Sequence, residues 1–363
     1  MSVSDFHKKP FDEGTLTKLE IFQLYTREWL PVFLSRESDK LHSVHLYDFF
    51  AGPGTDANGT LGSPLRTLQV LREYSTRGLA GWGKIGINAH FFDASAKKIA
   101  ILNETLLSGD WAVPGVKVDI AQAMFAEAFA AHEVTFAAGD AAKLLLIDQF
   151  GVANVTPEVF SKLVAFPLTD FLFFISSATL QRFREHPAIK QKIAPAADFN
   201  QVHHAVLDYY RQLIPKERRY YLAPFSIKKG SNIYGIIFGS AHPLGIDKFL
   251  GVAWRKDRLN GEANFDINRD AIDPAEGLLP LGDIEQPLKL NSFEAHLEKL
   301  LRQRQLHHET EVMEVCFTHG VTRQHATPVL KRLKQERVID LDFTVPSVEN
   351  EHLKNSRPIR YVL

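Results

Sequence analysis

Cysteine is almost absent from these 363 residues, and Cys316 stands alone. A single thiol excludes an internal disulfide, as well as any zinc or iron–sulfur site built from several cysteines of one chain. It predicts a reducing, cytoplasmic setting. An excess of charge of one sign is also missing. Lys plus Arg number 42 against 43 Asp plus Glu, so no global field recruits a polyanion and any basic surface must be regional. Nowhere do about 18 consecutive apolar residues occur, as a membrane-crossing helix requires, and the stretch before Lys18 lacks the apolar run of a signal peptide. No membrane partner is expected. What is present is 45% hydrophobic and 23% charged, enough apolar material for two folded units.

The apolar pattern predicts an amphipathic helix over Thr15–Leu34, then a buried strand, Val44–Phe50, running into a glycine loop. In Gly62-Ser63-Pro64, Ser63 can cap a helix and Pro64 can occupy its first turn. Strand and helix then alternate. Strands are expected at Ile85–Phe92, Val116–Asp119, Lys143–Asp148 and Asp170–Ser177, and helices at Ala96–Leu107, Ala121–His132 and Pro157–Leu163. Further helices are expected at Ala178–Lys192 and Val202–Ile214. Tyr220–Lys228 and Asn232–Ser240 are separated too briefly for a crossover and read as an antiparallel hairpin. The expected fold class is α/β, a Rossmann-like class I methyltransferase sheet of five parallel strands plus an antiparallel hairpin.

A helix at Pro243–Arg255 is followed by a Gly-, Asp- and Pro-rich stretch that reads as a linker. In the tail, Ser292–Arg304, Glu309–Thr318 and Thr322–Arg337 read as helices, with Val338–Phe343 and Ile359–Val362 as strands of a wing. This is a winged-helix-like pattern. The expected divisions are a helical segment over 1–40, a cofactor domain over 41–258, a linker over 259–290 and the winged-helix-like domain over 291–363.

Parallel sheets bind ligands at the carboxyl ends of their strands, where backbone amides and helix N-termini are exposed. In Asp48-Phe49-Phe50-Ala51-Gly52-Pro53-Gly54 the acid precedes the glycines. There it can meet the ammonium of a methionine moiety, whereas a dinucleotide fingerprint needs Gly-x-Gly-x-x-Gly around a pyrophosphate. The loop therefore points to S-adenosylmethionine (SAM), with Asp48, Gly52 and Gly54 as binding residues. Asp93, closing the second strand, can accept the ribose hydroxyls. Asp119 closes the third expected strand and is a candidate for the adenine amine, with Asp140 competing.

The fourth strand runs into Asp148-Gln149-Phe150-Gly151. An acid there can accept a hydrogen bond from a target amine while an aromatic stacks on a base, so Asp148 and Phe150 are the candidate catalytic pair. Arg182–Lys229 carries ten Lys or Arg against four acids, a pattern that suits a polyanion and equally a solvated face. In the tail Arg323, Gln324, His325 and Lys331 are candidate nucleic-acid contacts, at and beyond the start of the third helix, although Pro328 either kinks that helix or opens it. The fifteen histidines show no metal-ligand spacing.

In the order of its motifs the chain resembles the three-Cys-motif partner protein (TcmP) family. The matching stretches are Phe11–Trp29 with Thr17-Lys18-Leu19, the Asp48–Gly54 loop with Gly62-Ser63-Pro64, Asp148-Gln149-Phe150-Gly151, Phe173-Phe174-Ile175-Ser176-Ser177, Ile237-Phe238-Gly239-Ser240 with His242-Pro243, and Gly261-Glu262-Ala263-Asn264-Phe265. The resemblance implies a SAM-dependent methyltransferase fold and a separate three-cysteine, radical-SAM-like protein as partner. The cysteines of the family name belong to that partner. Gln149 stands where many relatives carry proline. A SAM-dependent methyltransferase with nucleic acid as its candidate target is therefore the first expectation, and a catalytically silent module that positions the partner on nucleic acid is the second.

Overall fold

The computed structural model describes residues 9–148, 155–175, 202–229, 232–265, 289–348 and 355–362. The chain divides into two compact units, Met1–Lys248 and Phe249–Leu363, and each is described by itself.

The first unit opens with helix α1 (Glu13–Leu34), whose first turn is capped by Asp12 accepting from Thr15 N. Its Leu19, Phe22, Tyr25 and Trp29 form the buried stripe that the helical period predicts. Strands β1 (Ser43–Asp48), β2 (Gly86–Asp93), β3 (Val116–Gln122), β4 (Ala141–Ile147) and β5 (Thr169–Ile175) follow in alternation with helices. These helices are α2 (Ser63–Arg77), α3 (Ala96–Ser108), α4 (Phe125–Ala131), α5 (Glu133–Ala137) and α6 (Pro157–Ala165). Helix α7 (Val202–Gln212) precedes the hairpin β6 (Tyr221–Lys229) and β7 (Asn232–Ser240).

The seven strands form one sheet in the order β3-β2-β1-β4-β5-β7-β6. Neighbours from β3 to β5 are parallel, and β7 runs antiparallel to both β5 and β6. The expected sheet of five parallel strands closed by a hairpin is the sheet observed. Its central strand β4 is buried at every position, Lys143 included, whose ammonium donates to the Ala138 carbonyl at 2.8 Å; apart from that lysine it is apolar on both faces rather than alternating.

Several local expectations shift. Gly62, not Ser63, is the N-cap of α2, and Ser63 and Pro64 occupy its first turn. The third strand does not stop at Asp119. It continues to Gln122 because its backbone pairs with β2 through Asp93↔Gln122, and this pairing overrides the helical preference of Ala121 and Gln122. The helix expected from Ala121 starts at Phe125 instead and breaks at His132, the cap shared by α4 and α5. The expected helix at Ala178–Lys192 lies outside the described residues.

Helix α8 (Pro243–Lys256) straddles the division of the chain. The second unit then contains α9 (Lys289–Arg302), α10 (Glu309–Thr318), a 3-10 turn (Arg323–Ala326), α11 (Thr327–Gln335) and the two-residue strands β8 (Ile339–Asp340) and β9 (Arg360–Tyr361), which pair antiparallel. Pro328 lies in the first turn of α11, so it opens that helix rather than kinking it. Phe293, Leu297, Met313, Cys316, Val329 and Leu333 form its core. The start of the expected linker is folded: Asn260 and Ala263 are buried. The Asp257 carboxylate accepts from the amides of Leu259, Asn260, Glu262 and Ala263.

Candidate cofactor site

Three acids sit at the carboxyl edge of the parallel strands. Asp48 ends β1, Asp93 ends β2 and Asp148 follows β4. Register places them side by side, because Asp48 pairs with Phe91 on one flank and Leu146 on the other.

Asp48 is 1% exposed. Its Oδ1 accepts from Phe50 N at 3.0 Å, while Oδ2 is buried with no hydrogen-bond partner among the described residues. Burial pushes the carboxyl up to about 7; Ser63 and the Phe50 N–H pull it down, and Asp148 and Asp93 push it further up. A lone carboxylate oxygen sealed from water is costly until a cation meets it.

The loop after β1 turns through Gly52 and Gly54, at φ 65° and 91°. Both lie in the left-handed region that glycine alone visits cheaply. At Gly54 a Cβ would also come within 2.9 Å of Leu102 Cδ1. Asp93 links this loop to the next helix: Oδ2 accepts from Gly52 N at 3.1 Å and Oδ1 from Ser95 N at 2.9 Å. Lys98 Nζ stands 3.4 Å from Oδ2. Asp93 therefore shapes the loop whatever else it binds.

Asp148 forms an ion pair with Lys18 of α1, whose ammonium also lies 4.7 Å from the Phe174 ring centroid. No local sequence signal couples two residues 130 positions apart. Phe150, the expected partner of Asp148, lies outside the described residues. Asp119 and Asp140 are not at this edge. Asp140 precedes β4 at the amino edge and contacts His42 at 2.7 Å, and Asp119 lies inside β3, with its carboxylate toward His90.

Tyr47, His90 and Asp119 occupy one cross-strand row, since Tyr47 pairs with His90 and His90 with Asp119. His132 joins them from the α4–α5 corner. One ligand atom from each of His90, Asp119 and His132 falls within 4.8 Å of the others, a cluster that the sequence spacing did not reveal. Burial lowers His90 and His132 below the usual imidazole range, and lowers His45 beside them to about 4.

In the second unit, Arg323 donates to the Pro346 carbonyl. The His325 ring accepts from Thr322 N at 3.1 Å and packs on Trp254 at 4.3 Å between centroids. Both are engaged by their own unit, unlike base-reading side chains, whereas Gln324 and Lys331 are exposed. Lys331 lines a cavity of about 410 Å³ with Lys334, Phe343 and Arg357. No described helix is long and apolar enough to cross a membrane.

No protein-family model and no curated protein matches this sequence. Solved structures do. The chain is similar to the SAM-dependent methyltransferase from Agrobacterium tumefaciens, at 11% identity over 63% of this chain and 62% of that one, with a TM-score of 0.33. It is also similar to CrArsM, an arsenic(III) S-adenosylmethionine methyltransferase from Chlamydomonas reinhardtii, at 13% identity over 56% and 65%, TM-score 0.30. A spermidine synthase in complex with the transition-state analogue AdoDATO is similar at 14% identity over 62% of each chain, TM-score 0.31.

Proposed function

We propose that this protein is a SAM-dependent methyltransferase. One observation carries the reading: the partnerless, buried Asp48 Oδ2 at the carboxyl edge of the sheet, beside a loop turned by Gly52 and Gly54. An ammonium is its chemical complement, and the amino group of a methionine moiety supplies one. When bound, SAM supplies an electrophilic methyl group on a sulfonium. Asp48 holds the ammonium, Gly52 and Gly54 allow close backbone approach, and Asp93 offers its remaining lone pairs to ribose hydroxyls. Asp148 orients the acceptor. In-line positioning needs no protein nucleophile. Asp119 is not retained as the adenine contact, because its carboxylate turns toward His90.

The acceptor we favour is nucleic acid, read by exposed Gln324 and Lys331 of a winged-helix-like second unit. The three-cysteine, radical-SAM-like protein is the favoured partner. A second reading, a silent module that positions this partner, draws on the Lys18–Asp148 ion pair, which already occupies the acceptor acid. Calorimetric titration with SAM tests the first reading, and absence of binding at millimolar SAM removes it. If SAM binds, Asp148→Ala should keep binding and abolish transfer of a labelled methyl group to a nucleic-acid pool. A variant and wild type that both bind SAM and transfer nothing support the silent module.

A further inference from the structure

We propose that His90, Asp119 and His132 form a binding site for a divalent transition-metal ion of the Zn²⁺ class, separate from the cofactor site. Two imidazoles and one carboxylate suit such ions, and three protein ligands leave a fourth position for water. The three ligands come from β2, β3 and the α4–α5 corner, so the ion would pin the edge strand β3 and its covering helices to the sheet.

The three ligand atoms lie within 4.8 Å of one another, and the His90–Asp119 spacing suits coordination. His90 Nδ1 lies 3.3 Å from Asp119 Oδ2, whereas a charge-assisted N–H···O contact is usually about 2.7–2.9 Å. Donor atoms about 2.0–2.1 Å from a tetrahedral zinc ion stand roughly 3.3–3.4 Å apart. The surroundings hold the rings in place. His90 Nε2 contacts His45 Nδ1 at 3.1 Å, and His45 Nε2 contacts Ser43 Oγ at 2.9 Å. With a metal on His90 Nδ1, His90 Nε2–H donates to His45 and His45 Nε2–H donates to Ser43, a single consistent tautomer chain. Tyr47 lies 4.4 Å from the His90 ring, nearly parallel to it, and its hydroxyl is 3.3 Å from His132 Nδ1. The Asp119 side chain is 55% exposed and His90 only 12%, so an ion enters from the Asp119 side.

The site is independent of the SAM reading, and its test uses the metal alone. The full chain, stripped with a chelator, is titrated with Zn²⁺ followed by thermal shift, and with Co²⁺ followed by visible absorption. The expected result is one equivalent bound, a raised melting temperature and an intense tetrahedral Co²⁺ band. Asp119→Asn, exposed and isosteric, should keep the fold by circular dichroism and weaken binding at least about tenfold, and His45→Gln should weaken it by about tenfold through ring orientation. His296→Gln, which disrupts the His296–His319 contact of the second unit, should change nothing. No saturable binding overturns the proposal. So does a Co²⁺ band that survives the double variant Asp119→Asn/His132→Gln or disappears with His296→Gln.

Discussion

Asp48 and Asp170 are both buried carboxylates of the same sheet, at opposite edges. Asp170 lies at the start of β5 and is fully provided for. Tyr25 Oη donates to its Oδ2 at 2.6 Å, and burial raises its carboxyl only to about 6 because Ser240, Tyr25 and Trp29 oppose the rise. Asp48 lies at the carboxyl edge, keeps one oxygen unpartnered and rises to about 7. Burial thus has two meanings. A carboxylate whose partners are built into the fold is architecture, and one with an oxygen left over is, on the proposed reading, kept for a ligand.

The largest expected effect separates the two acids by stability. Asp48 has a folded pKa raised above its unfolded value, so its contribution is fully present below about pH 4 and is lost as pH rises through about 7. Asp48→Asn should match the ligand-free wild type near pH 4 and exceed it by at most about 4 kcal/mol at pH 8. Urea unfolding at the two pH values measures this, and a less stable variant at pH 8 would contradict a partnerless oxygen. Asp170→Ala should instead destabilise by about 3 kcal/mol, since it removes the buried acceptor of the Tyr25 hydroxyl and leaves that hydroxyl only the Gly245 carbonyl at 3.5 Å. A neutral Asp170→Ala would erase the contrast.

Ligand binding sharpens the comparison from the other side. Asp48→Asn should lose about 100-fold in SAM affinity, roughly 2.7 kcal/mol, while folded Asp170→Ala should bind as wild type by calorimetry. Because the ammonium requires ionised Asp48, wild-type affinity should climb about tenfold per pH unit below 7 and level off above, with a flat profile in Asp48→Asn. The smallest effect is expected at Gly54→Ala. A left-handed φ costs about 1–2 kcal/mol in a non-glycine residue, and the Leu102 side chain must also give way; thermal unfolding reads both together.

The sheet was legible in the sequence because its strands are apolar runs separated by helical periods, and the acids at its carboxyl edge were legible because a strand announces its own end. The end of β1 was the exception: the apolar Phe49 and Phe50 extend the expected strand to Phe50, whereas strand pairing stops at Asp48. What could not be read depended on register or on distant packing. Asp119 looked like a strand end, and only pairing with β2 carries β3 on to Gln122. His90 and Asp119 meet because strand pairing puts them in one row, across 29 residues of sequence, and no spacing rule encodes that. Lys18 reaches Asp148 through the packing of α1, a tertiary fact without a local signature.

Glu309, wholly buried in the second unit, has a consequence for protein engineering. Its carboxylate accepts from Ser347 N and Arg357 N, each at 3.0 Å, and also grips the Arg357 guanidinium. One side chain thereby ties Ser347 to Arg357 and supplies the counter-charge of the guanidinium. Removing one partner of a buried ion pair costs about 3–5 kcal/mol, so position 309 is one that any redesign of the second unit has to leave unchanged.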